Sequence, residues 1–246
     1  MHGSLITDHA IDMGQQELRT FGSADELARV AAAEWLAELG SHTGNYHAAF
    51  SGGRIARNFC RELTRRAKEN RQALERVHFF WADERCVPPT NAESNYKLIL
   101  EEFLRPAAIS ENRIHRVRGE DPPAVAARLA EEELRKSVPL NAAGCPALEM
   151  IFLGMGEDGH VASLFPPIRD EQRDNIFMAV TATKPPPQRI SLTYAMIAAA
   201  QNVWVLASGE GKAEPLRESL RADGKTPLAE VIRRRERTKI LTDIRL

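Results

Sequence analysis

Residues 148–160 read Leu-Glu-Met-Ile-Phe-Leu-Gly-Met-Gly-Glu-Asp-Gly-His. Leu148 to Leu153 is the most apolar strand candidate in the chain, and it breaks off into a loop rich in glycine and charge. A short apolar run bounded by turn residues is the pattern of a strand buried on both faces, as in a parallel sheet. In such sheets ligands bind beyond the carboxyl ends of the strands. The residues that follow each apolar run are therefore where chemistry is expected.

The same pattern recurs on both sides. Tyr46 to Phe50, Val77 to Trp81 and Ile114 to Val117 read as strands upstream, and Ile176 to Thr181, Val203 to Ala207 and Lys239 to Leu241 downstream. Between them lie helix-prone segments. Ser23-Ala24-Asp25-Glu26 reads as a capping box, with Glu26 reaching back to Ser23, and Leu27, Val30, Ala31, Trp35 and Leu39 follow at helical spacing. Arg54 to Asn70, Tyr96 to Leu104 and Pro122 to Lys136 complete the set. The alternation predicts an α/β fold, a mostly parallel, Rossmann-like sheet with helices on both faces. No repeat or linker appears, and Pro185-Pro186-Pro187 is too short to separate domains, so residues 1–246 are expected to form a single domain.

Charge is balanced, 33 basic against 34 acidic residues, which points to neither nucleic acid nor an anionic membrane as partner. The run Arg233, Arg234, Arg235, Arg237, Lys239 is broken by Glu236 and reads as a solvated helix face. Cys60, Cys86 and Cys145 form no CxxC pair and fit a reducing compartment. No stretch is long and apolar enough to span a bilayer, and the N-terminus lacks the pattern of a signal peptide. A cytoplasmic chain is expected. In the absence of heptads, so is a monomer.

Five junctions carry unusual residues. After Phe50, Ser51-Gly52-Gly53 is either an anion cradle at a helix start or a tight turn. After Trp81, Asp83-Glu84-Arg85 suits substrate hydroxyls and a negative charge, or surface ion pairs. The loop after Leu153 satisfies GxGxxG, but Glu157 and Asp158 would repel a pyrophosphate and Pro166-Pro167 soon interrupt it. The better reading is a loop presenting Asp158 and His160, a neutral imidazole as general base with a carboxylate to orient it; a structural histidine is the alternative. No third ligand stands at metal-binding spacing. Arg189, after the three prolines, suits a two-pronged phosphate contact. Lys212, in Ser208-Gly209-Glu210-Gly211-Lys212, either pairs with a phosphate near a helix start or is solvated. Together these suggest a phosphorylated small molecule and acid–base chemistry. The chain has no GxSxG elbow for a serine nucleophile.

At these residues the chain resembles the 6-phosphogluconolactonase family, within the superfamily that also holds the glucosamine-6-phosphate deaminases. The matching stretches are residues 50–53, 81–85 and 93–96, the specific run Gly154 to Pro166, Lys184 to Thr193, and residues 209–212. The resemblance implies a sheet of the deaminase and lactonase type. It implies hydrolysis of 6-phospho-D-glucono-1,5-lactone to 6-phospho-D-gluconate, the second step of the oxidative pentose phosphate pathway, with no organic cofactor. It makes His160 the base that activates water, with Asp158 beside it, and Ser51, Gly52, Gly53, Arg189 and Lys212 the phosphate-holding positions. Arg85 is implied for phosphate or carbonyl oxygen. Asp83 matches the deaminases' base. Those deaminases carry a glutamate five residues after the histidine, where this chain has Phe165. Arg54 departs from the small hydroxyl residue that often follows SGG in the family. A sugar-phosphate sensor is the rival from another class, but no DNA-binding segment is evident.

Overall fold

The computed structural model describes residues 9–12, 16–142, 144–168 and 175–246. Its first half runs β1 (His9–Asp12), β2 (Gln16–Thr20), α1 (Ala24–Ser41), β3 (Tyr46–Phe50), α2 (Arg54–Arg66) and α3 (Arg71–Leu74). There follow β4 (Val77–Trp81), β5 (Asp83–Arg85), α4 (Asn95–Ile99), which continues as a π turn through Leu100–Leu104, and α5 (Pro123–Ser137). The second half runs β6 (Met150–Gly154), β7 (Phe177–Thr181), β8 (Gln188–Leu192), α6 (Tyr194–Ala199), β9 (Asn202–Ala207), α7 (Ala213–Leu220), α8 (Pro227–Arg233) and β10 (Thr238–Thr242).

Seven strands form the main sheet in the order β1-β2-β10-β9-β6-β3-β4. Only β1 is antiparallel; the other six run parallel. All five residues of β3 are buried, as are Met150 to Leu153 of β6, because helices cover both faces. Chain order leaves β3 outward to β4 and returns to β6 on the other flank of β3. The two loops at this switch are residues 51–53 and 154–160. They lie side by side, with the Ser51 N–H donating to Phe152 O at 2.9 Å. A crevice opens at such a switch by topology alone.

Under the switch the core is aromatic. Trp35 from α1 meets Phe152 edge-on at 5.1 Å, and Phe152 contacts Phe50 and Phe59 at 5.0 and 4.8 Å between ring centroids. Trp35, Phe50 and Phe59 are fully buried, so helix, strand and the next helix share one packed centre.

A second, antiparallel sheet in the order β5-β8-β7 accompanies the mostly parallel sheet that the sequence predicts. Ala82 is the crossing point: its N–H donates to Phe50 O at 2.9 Å in the main sheet, and its carbonyl accepts from Leu192 N at 2.8 Å in the second. The expected strand Ile114 to Val117 does not form. Only Ile114 bridges to Phe79, while Arg113, His115 and Arg116 direct their polar groups to His78, Glu133 and Glu120. In the capping box Ser23 Oγ accepts from Glu26 N at 3.2 Å, but Glu26 takes the N–H of Gly22, one residue earlier than expected. The basic run is not a single solvated face. Arg233 and Arg234 pair with Glu230, whereas Arg235 is buried and donates to the carbonyls of Ile197, Ala198 and Ala200 at the end of α6. Burial alone pushes Arg235 down to about 10.

Candidate active site

A cleft of about 120 Å³ opens at the switch point. Ser51, Gly52 and Gly53 form one wall, Asp83, Arg85 and Arg189 another, and His160 and Lys212 face them. Asp158 alone of the expected residues does not line it; it stands behind His160. A larger hollow of about 700 Å³ lies between α5 and β7. Its polar residues include the ion pairs Arg128–Glu132 and Arg135–Glu131, and it holds no histidine or cysteine, so the chemistry belongs to the smaller cleft.

Gly53 has φ of +105°, a left-handed conformation that lets the chain turn from β3 directly into α2. No side chain caps α2, whose first residues line the cleft, so the helix start there is suited to an anion. A Cβ on Gly52 would overlap the Asn95 carboxamide. Arg54, the first residue of α2, lies at the cleft rim and is exposed. Lys212 sits in the turn before α7, where burial, and then the Arg54 charge, lower its pKa; Glu157 and Asp243 oppose the shift. Asp243 also anchors that turn, accepting from Ser208 Oγ at 2.8 Å and Gly209 N at 3.1 Å.

On the opposite wall, Arg85 and Arg189 are register partners across β5 and β8. Two guanidinium groups held side by side repel, and burial, followed by the charge of Arg85, lowers the pKa of Arg189. Arg189 donates through Nε to Pro186 O at 3.1 Å and lies over the Phe165 ring at 5.6 Å. A bound anion would relieve this arrangement. Asp83 is buried; its Oδ2 accepts from Ser163 Oγ at 2.8 Å. Asp83 Oδ1 and Ser51 Oγ are buried with no hydrogen-bond partner among the described residues. Such groups cost free energy unless a ligand completes them.

The β6 loop is built to present one imidazole. His160 Nδ1 bonds Asp158 Oδ1, and the same carboxylate oxygen accepts from His160 N at 3.2 Å. Burial alone would raise Asp158; the His160 ring and the backbone bonds outweigh it and hold the carboxyl below its usual range. An ionised Asp158 accepts from Nδ1–H, which leaves Nε2 as the basic nitrogen. Gly156 has no room for a side chain against the imidazole, and Gly159 at φ of +74° packs on Thr226 and accepts from Leu228 N at 3.1 Å. Phe165 packs at 4.5 Å from the His160 ring.

Asn95 also lines the cleft, a residue in the quoted Glu93-Ser94-Asn95-Tyr96 stretch to which the sequence attached no role. Its Nδ2 donates to Asp83 O at 2.9 Å. Only the fold brings it there, through a turn that sequence spacing does not specify. Among the described residues no group of three or more His, Cys, Asp or Glu is arranged to hold a metal ion, and no helix is long and apolar enough to cross a membrane.

Residues 22–241, which include every residue of this cleft, match the family described as glucosamine-6-phosphate isomerases/6-phosphogluconolactonase. The chain belongs to that family. A Treponema pallidum relative named 6-phosphogluconolactonase is 39% identical over 172 residues, covering 68% of this chain and 69% of its own. A Streptomyces coelicolor relative of the same name is 33% identical over 210 residues, covering 80% of each. The crystal structure of 6-phosphogluconolactonase from Thermotoga maritima superposes with a TM-score of 0.76 at 27% identity, over 92% of this chain and 98% of that one.

Proposed function

We propose that this chain is a 6-phosphogluconolactonase and that His160 drives the hydrolysis. The observation that carries the reading is the Asp158–His160 pair, whose imidazole lines a cleft that Arg85, Arg189, Lys212 and the first residues of α2 also line. His160 Nε2 takes a proton from water as its oxygen attacks the lactone carbonyl. Arg85 meets the negative charge that develops on the carbonyl oxygen and on the carboxylate product. The ester C–O bond then breaks, and the imidazolium returns its proton to the departing ring oxygen, giving 6-phosphogluconate. General acid–base help of this kind is worth roughly 10²–10⁴ in rate. Ser51, Gly52, Gly53, Arg189 and Lys212 hold the phosphate, and the buried Asp83 Oδ1 accepts a sugar hydroxyl.

The family spans two chemistries, and Phe165 favours hydrolysis. A ring-opening deaminase needs a carboxyl proton shuttle at that position; here a phenyl ring packs on His160 and lies beneath Arg189. The test is hydrolysis of 6-phosphogluconolactone made in situ, set against unphosphorylated gluconolactone and corrected for spontaneous hydrolysis. Acceleration of the phosphorylated lactone, abolished by His160→Ala, is expected. Equal acceleration of both lactones would reject the phosphate site, and near-native kcat in His160→Ala would reject the base.

A further inference from the structure

The three residues of β5 alternate. Asp83 and Arg85 line the cleft, and Glu84 between them points to the other side, as the two-residue period of a strand requires. Glu84 is 2% exposed and does not itself line the cleft. Each of its oxygens accepts two bonds. Oε1 takes Arg85 N at 2.7 Å and Asn95 N at 2.8 Å, and Oε2 takes Ser94 Oγ at 3.0 Å and Tyr96 N at 2.7 Å. Burial raises its pKa, opposed by these backbone bonds. Four donors converging on one carboxylate, two from the first residues of α4, one from its N-cap Ser94 and one from β5 itself, make a joint between strand and helix. The joint carries two cleft residues: Arg85, whose Nη1 donates onward to Glu93 O at 2.7 Å, and Asn95, whose amide packs against Gly52.

We propose that Glu84 is a positioning residue that holds Arg85 and Asn95 at the anion-binding wall through the start of α4, without itself meeting the ligand. The inference rests on the lactonase reading for the identity of the ligand. Glu84→Gln is the sharp variant: it keeps the shape but turns one oxygen into an NH₂ that faces two donors.

The test is a double-mutant cycle on the full chain, with wild type, Glu84→Gln, Arg85→Ala and the pair, titrated with 6-phosphogluconate by calorimetry. Glu84→Gln is expected to weaken binding about tenfold, the order lost when a charge-assisted contact is misplaced. In the Arg85→Ala background the loss is expected to shrink to under about threefold, since Glu84 acts through Arg85. The same loss in both backgrounds, or native affinity in Glu84→Gln, would overturn the proposal. Should Glu84→Gln fail to fold, Ser94→Ala removes a single bond to the carboxylate and is expected to show the same coupling at about threefold. Lactone hydrolysis by wild type is assayed in parallel. No hydrolysis with the coupling intact would overturn the reaction and leave the positioning role standing; no binding by wild type would overturn both.

Discussion

Asp158 and His160 are two residues apart, and their bond decides which imidazole nitrogen is basic. In Asp158→Asn an amide can present its NH₂ to Nδ1, which favours the tautomer that carries its proton on Nε2 and cannot act as base. The expected outcome is a fall in kcat of roughly 10²–10⁴ with little change in KM, measured by steady-state hydrolysis. Lys212 makes the opposite prediction. In the proposed mechanism it meets the phosphate in ground state and transition state alike, so Lys212→Met is expected to raise KM for the phosphorylated lactone about tenfold and leave unphosphorylated gluconolactone unaffected. Both residues were legible as candidates because each follows an apolar run. Neither the buried, unpartnered oxygens of Ser51 and Asp83 nor the clamp at Glu84 was, since each depends on neighbours distant in sequence.

Among the elements, the turn from β3 into α2 leaves no room for a side chain at Gly52. Gly52→Ala would drive a methyl into Asn95, and the repacking is expected to cost about 1–3 kcal/mol together with phosphate affinity, read by urea unfolding and by KM. At the start of β4 a different joint sets the response to acid. Arg113 Nη1 bonds His78 Nε2 at 2.6 Å, His78 Nδ1 bonds His115 Nε2 at 2.8 Å, and His115 Nδ1 bonds Glu133 at 2.7 Å. His47 stacks on His78 and pairs with Glu149. Arg113 donates at one end and Glu133 accepts at the other, so both linking rings are held neutral. Burial, with Arg113, His47 and His115 adding to it, pushes His78 down to about 4. A histidine depressed in the folded state favours folding fully above its unfolded value of about 6.5, and that advantage is lost as pH falls toward 4. Urea midpoints are therefore expected to drop between about pH 6.5 and 4, and to drop less steeply in His78→Gln. Equal slopes for the two proteins would reject the role of His78.

Taken as a whole, the molecule turns on its aromatic centre beneath the switch point. Phe152→Ala is expected to cost about 3–5 kcal/mol, measured by urea unfolding, because helices and strands from both flanks close on that ring. The parallel sheet was legible in the sequence because strands buried on both faces must be written as near-continuous apolar runs, and Tyr46 to Phe50, Val77 to Trp81 and Leu148 to Leu153 are such runs, each with one polar residue at its second position. Of the helices, α1 was legible from its cap and stripe and α2, α4 and α5 from helix-prone composition, and the glycine-rich, charged loops from their contrast with the strands before them. What only the tertiary structure decided is how those loops meet. Asp83 to Arg85 and Gln188 to Leu192 carry charge and polarity that local pattern reads as loop, and they become strands because each supplies the other's ladder. That pairing across about a hundred residues sets Arg85 beside Arg189 and turns Glu84 away from the cleft. Backbone hydrogen bonds between distant segments leave no period in the sequence, whereas burial on two faces does.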